Sequence, residues 1–139
     1  MDENCLFCKI INKEIPSFII NETKTFITVL DINPANLGHC LIIPKEHVPF
    51  SSMITKEVYN EISKEIKRLS VLFLRVLKSR GSSMFIANGG VAGQRVPHCV
   101  IHVIPRYLED GLNLNIQANE ISEEEIKEVY AKFITPQKE

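Results

Sequence analysis

The chain has 139 residues, enough for one domain of ordinary size whose core removes roughly two-thirds of the unfolded surface from water. Hydrophobic residues make up 45% and charged residues 24%, and 16 basic against 17 acidic side chains leave a formal net charge of −1. That balance argues against a nucleic-acid or membrane surface built on bulk charge, while leaving room for a small anion pocket. The opening MDENCLFCKI carries acids and no apolar run, so no signal peptide is expected there. The longest apolar-rich segment, VLFLRVL, is interrupted by Arg75 and is far shorter than the roughly 20 residues of a membrane span. Four cysteines in this chain do not resemble a secreted disulfide framework, so reduced thiols and a cytoplasmic setting are expected, with nuclear entry left open.

In chain order, a short helix is expected over residues 7–12. Residues 18–22 (FIINE) and 25–31 (TFITVLD) are rich in β-branched and aromatic side chains and read as strands joined by a polar turn. A turn-like NPANLG leads into a third strand over residues 38–44, which ends at a proline. Thr55 is a suitable N-cap for a long amphipathic helix, whose Val58, Ile62, Ile66, Leu69, Phe73, Val76 and Leu77 recur at steps of three and four. Gly81, just beyond Lys78 and Arg80, reads as its stop. Residues 83–88 (SMFIAN) and 98–104 (HCVIHVI) read as the fourth and fifth strands. Ser122 and Glu125 form a capping box that opens a short helix to about Phe133. With no repeat, low-complexity tract or dividing linker, residues 1–139 are expected to form one α+β domain. Its elements are an antiparallel sheet of about five strands, one long helix, and short N- and C-terminal helices.

The residues with chemistry are clustered. All four histidines fall in two segments, His39 and His47 in GHCLIIPKEH and His98 and His102 in HCVIH, while Cys5 and Cys8 form a CxxC. The two cysteines with His47 and His98 offer a Cys2His2 set suited to tetrahedral zinc. Spacing alone leaves chance or a redox pair open, although a redox CxxC is expected in a βαβ context that this chain lacks. Side chains alternate along a strand, so His98, Val100 and His102 share one face and Cys99 and Ile101 the other. At about 3.3 Å per residue, His98 and His102 are roughly 13 Å apart, too far to share one metal. Upstream, the loop at 88–94 (NGGVAGQ) holds three of the six glycines. It reads either as a place where backbone N–H groups approach an anion or as a plain turn.

Taken in order, CLFCKIINKEIPS, LDINPANLGHCLIIPKEH and GQRVPHCVIHVIPR resemble the histidine triad (HIT) family, in particular its zinc-containing branch of small nucleotide-binding proteins. The resemblance implies an antiparallel sheet with a long helix, and a homodimer formed through helices and strand edges. It also implies binding of a purine mononucleotide such as AMP or GMP. Many members hydrolyse nucleoside phosphoramidates or related adenylate conjugates. By the same resemblance, Cys5, Cys8, His47 and His98 would hold a structural zinc. Leu6, Phe7, Ile10 and Leu30 would line a base pocket, with Asp31 and Ile32 near the ribose. Asn88, Gly93, Gln94 and His102 would surround the α-phosphate, with His39 in support.

One position departs from the family pattern. The motif runs His-x-His-x-His, and its central histidine, which attacks the α-phosphorus, is here Val100. Valine has no lone pair and cannot titrate, so it cannot be a nucleophile. Cys99 faces the other way, and turning it inward would turn His98 and His102 outward. His102 lies one pleat repeat away, about 6–7 Å, which makes it a poor replacement. The expectation is mononucleotide binding with hydrolase chemistry lost or strongly impaired. Two alternatives stay open. One is an active phosphoramidate or nucleotide hydrolase, either altered at position 100 or using His102 as a base toward water. The other is a zinc-stabilised dimeric scaffold.

Overall fold

In the computed structural model, which describes residues 1–138, five strands form one antiparallel sheet in the order β1-β2-β3-β5-β4. They are β1 (Ile19–Glu22), β2 (Phe26–Leu30), β3 (Cys40–Pro44), β4 (Gly81–Phe85) and β5 (Ile101–Arg106). Helix α1 (Leu6–Ile11) precedes them, α2 (Lys56–Leu72) runs between β3 and β4, and α3 (Glu123–Ile134) follows β5. The period-two alternation separates two apolar layers. Phe26, Cys40, Ile42, Cys99, Ile101 and Val103 pack under Ile62, Leu69 and Phe73 on the α2 side. Ile27, Val29, Leu41, Ile43 and Val100 pack with Ile11, Phe7 and Ile10 on the α1 side. Covered on both faces, β3 is buried at all five positions and so reads as a continuous apolar run rather than an alternating one.

Thr55 caps α2 as expected, its side chain accepting from the Val58 N–H. The helix carries one buried charge. The Glu65 carboxylate takes both Arg68 Nε and Nη2 at 2.8 Å, Thr28 Oγ1 at 2.9 Å and Asn21 Nδ2 at 3.1 Å. Burial opposes its ionisation, yet Arg68 and these donors hold it below the ordinary carboxylate value. The C-terminal end departs from the sequence reading. A π turn (Phe73–Leu77) follows α2 and stops at Lys78, which is left-handed with φ 56°. Arg80 N–H already donates to Arg106 O, so the chain is extended before Gly81, which begins β4 rather than stopping the helix.

β5 also starts later than its pattern suggests, at Ile101 instead of His98. The position that would face Cys99 on β3 is Pro44, which has no N–H to give a ladder, and Cys99 N–H turns to Val48 O at 2.7 Å instead. The alternation nevertheless persists through this stretch, with Cys99 on the α2 side and Val100 on the α1 side. Gly38 lets the turn enter β3: its φ is +98°, and a Cβ there would collide with the Leu77 side chain. The Ser122–Glu125 capping box forms on both sides and opens α3, but every residue of α3 is exposed. Among the described residues, no helix is long and apolar enough to cross a membrane.

Candidate functional site

Four donor atoms converge where α1 meets the segments flanking β3 and β5. Cys5 Sγ and Cys8 Sγ lie 3.5 and 3.7 Å from His98 Nδ1, Cys8 Sγ lies 3.3 Å from His47 Nδ1, and the two Nδ1 atoms are 3.2 Å apart. A tetrahedral zinc with Zn–S about 2.3 Å and Zn–N about 2.0–2.1 Å spaces its nitrogens roughly 3.3 Å apart and its sulfur–nitrogen pairs roughly 3.6 Å apart. The observed edges fit that geometry. Cys5 caps α1 with its sulfur toward Cys8 N–H, so the CxxC turn aims both thiols to one point. His98 Nε2–H donates to Pro44 O at 2.8 Å, which leaves a lone pair on Nδ1, and His47 Nε2 lies 4.0 Å from Asp2 Oδ2. Such outer contacts orient metal-binding imidazoles. Burial lowers the His98 pKa against the pull of the Pro44 carbonyl, which keeps the ring neutral. Burial also raises the Cys8 thiol, so a thiolate here calls for a cation beside it.

A second cluster lies further along β5. His39 Nε2 is 2.9 Å from His102 Nδ1 and 3.7 Å from Asp31 Oδ2, and the three side chains bring their donor atoms within 4.8 Å of one another. Both imidazoles have lowered pKa values, mainly through burial, with Asp31 opposing in each case and His39 adding to the depression of His102. Phe85, directly opposite His102 across β4 and β5, stacks on its ring with centroids 4.3 Å apart and planes 6° from parallel. Between this cluster and the Cys2His2 set stands Val100, 8% exposed, in the α1-side apolar layer. Cys99 offers no nucleophile of its own. It is fully buried on the opposite face, and burial pushes its thiol up to about 11.

The other residues singled out from the sequence divide. Phe7 and Ile10 pack on the layer containing Val100, while Leu6 is half-exposed at the start of α1. Leu30 packs on the α2 side instead, because it shares parity with Phe26 and Thr28; Val29 and Ile27 are the β2 residues that face α1. Asp31 Oδ1 accepts from Asn33 N–H, and Ile32 is 75% exposed. In the glycine-rich loop, Asn88 bonds the Ser51 N–H and hydroxyl. Gln94 accepts from Gly89 N–H and donates to Pro49 O, both at 2.7 Å. Gly93 sits at φ 95° and closes the turn. Ala92, Gly93 and Gln94 N–H groups donate to Gly89 and Gly90 carbonyls. This loop is closed by its own bonds and pinned to residues 49–51, so its two amide side chains act as braces.

The HIT domain profile matches residues 12–109, well over half of the chain. The chain belongs to the HIT family. An uncharacterised HIT-like protein of Borreliella burgdorferi is 40% identical over 129 residues, covering 86% of this HIT protein and 92% of its own length. An adenosine 5'-monophosphoramidase of Saccharomyces cerevisiae is 35% identical over 135 residues, 96% of this chain and 83% of that one. Among solved structures, a Zn-bound histidine triad family protein from Mycobacterium smegmatis superposes with a TM-score of 0.74 at 30% identity, covering 84% of each chain. The five-stranded antiparallel sheet with one long helix is thus the family's α+β fold, as expected from the sequence.

Some contacts of this HIT protein's site were absent from the sequence reading. Phe85 carries its signal only through strand register, since nothing in SMFIAN marks it as the cross-strand neighbour of His102. Val29 was within reach: counting parity from Phe26 puts it, rather than Leu30, beside α1. The Ala35 N–H, which donates to His39 Nδ1 at 3.0 Å, leaves no trace in residue identity.

Proposed function

We propose that this HIT protein binds a purine mononucleotide such as AMP or GMP, with the phosphate at His102, and that it does not carry out nucleotidyl transfer because the attacking histidine's place is taken by Val100. The observation that carries this reading is Val100 itself, on the same face as His98 and His102 and packed among Ile11, Ile27, Val29, Leu41 and Ile43. A side chain without a lone pair cannot form the covalent intermediate. The adenylate ligand class is supported by the named activity of the yeast relative. Phe7, Ile10 and Val29 supply an apolar wall for the base, with Leu6 at its rim. On this reading Asp31 and Ile32 lie toward the ribose, and Gly93, with the Asn88 and Gln94 braces, toward the phosphate. The Leu30 side chain packs on the α2 side and is left out of this wall.

Cys5, Cys8, His47 and His98 would hold zinc in a structural role, tying α1 to the segments around Pro44 and Val48. The fit of their separations to a tetrahedral ion supports this, as does the Zn-bound relative. The exposed stripe of Ile126, Tyr130 and Phe133 on α3 supports a homodimer, since a second copy could cover it. Four free cysteines are in keeping with a cytoplasmic setting.

The deciding experiment pairs AMP binding by calorimetry with turnover of an adenosine phosphoramidate by the same preparation. Binding without turnover is expected. Turnover at rates typical of enzymes, about 1 per second or faster, would refute the loss of chemistry and favour an active hydrolase. No binding of AMP or GMP would favour a scaffold.

A further inference from the structure

We propose that Phe85 is a positioning residue for His102: its ring closes the open side of that histidine and holds the imidazole in one plane for the phosphate. The consequence for binding rests on the mononucleotide reading; the hold on the ring does not. A histidine side chain turns about two bonds, and the hydrogen bond between His102 Nδ1 and His39 Nε2 at 2.9 Å restrains one ring atom without fixing the plane. His102 Nε2 has no protein partner among the described residues, so nothing bonded there fixes it either. The sheet supplies what is missing. On β5, His102 stands directly opposite Leu41 of β3 and Phe85 of β4, and such cross-strand neighbours flank a side chain closely. Leu41 is buried, and β3 lies inside the sheet with β2 beyond it. On the other side β4 is the edge strand. Beyond Phe85 lies a groove of about 630 Å³ lined by Ser83, Met84 and residues 113–116 along with Phe85 itself. Phe85 is what separates the imidazole from that space.

The contact is made by a face and not by an edge. The two rings are 6° from parallel with centroids 4.3 Å apart, so the imidazole cannot tilt toward β4 without losing contact over its whole area. Phe85 is 43% exposed and belongs to neither apolar layer of the sheet. A large apolar side chain on an edge strand is a liability toward other chains, and its contact with His102 gives it a use there. The backbone that carries it is held at both ends. Ladder pairing with β5 runs up to Phe85 itself, and three residues later Asn88 is tied to Ser51. A stop for another ring has to be fixed in this way. Without it, His102 would swing toward the groove and away from the face shared with Val100. A ligand that finds the ring already oriented binds more tightly than one that must first immobilise it.

The test begins with the unaltered protein. In NMR spectra of the histidine ring protons, those of His102 are expected upfield of the ordinary histidine position, because a parallel phenyl face 4.3 Å away shields them. In Phe85→Ala they should return to it. Unshifted His102 ring protons in the parent would overturn the proposal. The second stage compares Phe85→Ala with Phe85→Tyr, which keeps the flat face. AMP affinity by calorimetry is expected to fall roughly three- to tenfold in Phe85→Ala, the cost of ordering one side chain on binding, and to stay within about twofold of the parent in Phe85→Tyr. Adenosine, which has no phosphate, should bind the parent and Phe85→Ala alike. Met84→Ala, next to Phe85 but opposite Val103 on the other face of β4, should leave both affinities unchanged. Equal weakening of AMP and adenosine in Phe85→Ala would mean that Phe85 is only structural, and an unchanged AMP affinity would equally overturn the positioning role. If the ring shift is present in the parent and lost in Phe85→Ala but neither protein binds AMP, the hold on His102 stands and the nucleotide reading fails.

Discussion

Replacing Val100 by histidine sets stability against chemistry in one substitution. Val100 is 8% exposed and packs against Ile27, Val29, Leu41 and Ile43 with α1 above it. Losing the burial of a valine costs about 1.5–3 kcal/mol. A buried imidazole polar atom without a partner costs about 1–3 kcal/mol more, and the larger ring adds overpacking strain of about 1–3 kcal/mol. Those terms overlap, and a net loss of about 2–4 kcal/mol is expected, read as a lower urea midpoint with unchanged slope. For a domain of this size that is a fall of roughly 6–15 °C in Tm. Opposing this, a nucleophile is restored between His98 and His102. Removing a nucleophile costs several powers of ten in rate, so adenosine phosphoramidate turnover should rise at least about a hundredfold over the parent. The variant must be assayed well below its melting temperature and shown to bind AMP. A folded, AMP-binding Val100→His with no gain in turnover would refute the assignment of position 100 to the nucleophile. An unchanged urea midpoint would refute the packing argument independently.

Three other outcomes follow from separate parts of the molecule. Protein purified without chelator should contain about one zinc per chain by elemental analysis, and Cys8→Ser should lose it together with about 3 kcal/mol or more of stability; a metal-free parent protein would count against the site. Glu65 makes a pH prediction. Its folded pKa lies below its ordinary value of 4.5, so its contribution is fully present above that pH and is lost as pH falls through the folded value. Glu65→Gln should therefore flatten the acid side of the stability profile below about pH 4.5, and an equally steep profile in the variant would contradict it. On α3, Tyr130→Glu with Phe133→Glu should shift a dimer toward monomer in light scattering while leaving the thermal transition of the sheet within about 1 kcal/mol, because neither side chain touches the core.

The parts of the site that follow from local periodicity were legible in the sequence, and those that depend on what meets across the sheet were not. The alternation that separates Cys99 from Val100 holds even though β5 begins only at Ile101, because the extended backbone continues through residues that have lost their ladder partner at Pro44. Spacing could propose Cys5, Cys8, His47 and His98 as a set, but their convergence requires α1 to be laid beside Pro44 and Val48. Leu30 and Val29 show how much one residue of parity decides: Leu30 faces α2 and its neighbour Val29 faces α1. Asn88 and Gln94 expose a different limit. An amide side chain in a glycine-rich loop suits an anion contact or a brace equally well, and only the positions of Ser51, Gly89 and Pro49 show that both are engaged. With those groups occupied, His102 Nε2 stands out as a polar atom of this face with no protein partner among the described residues. A histidine beside it would add a nucleophile, whereas Val100 adds only apolar surface. On the function proposed above, the strand face that would otherwise join donor and nucleophile keeps the means of holding a phosphate and lacks the group that would attack it.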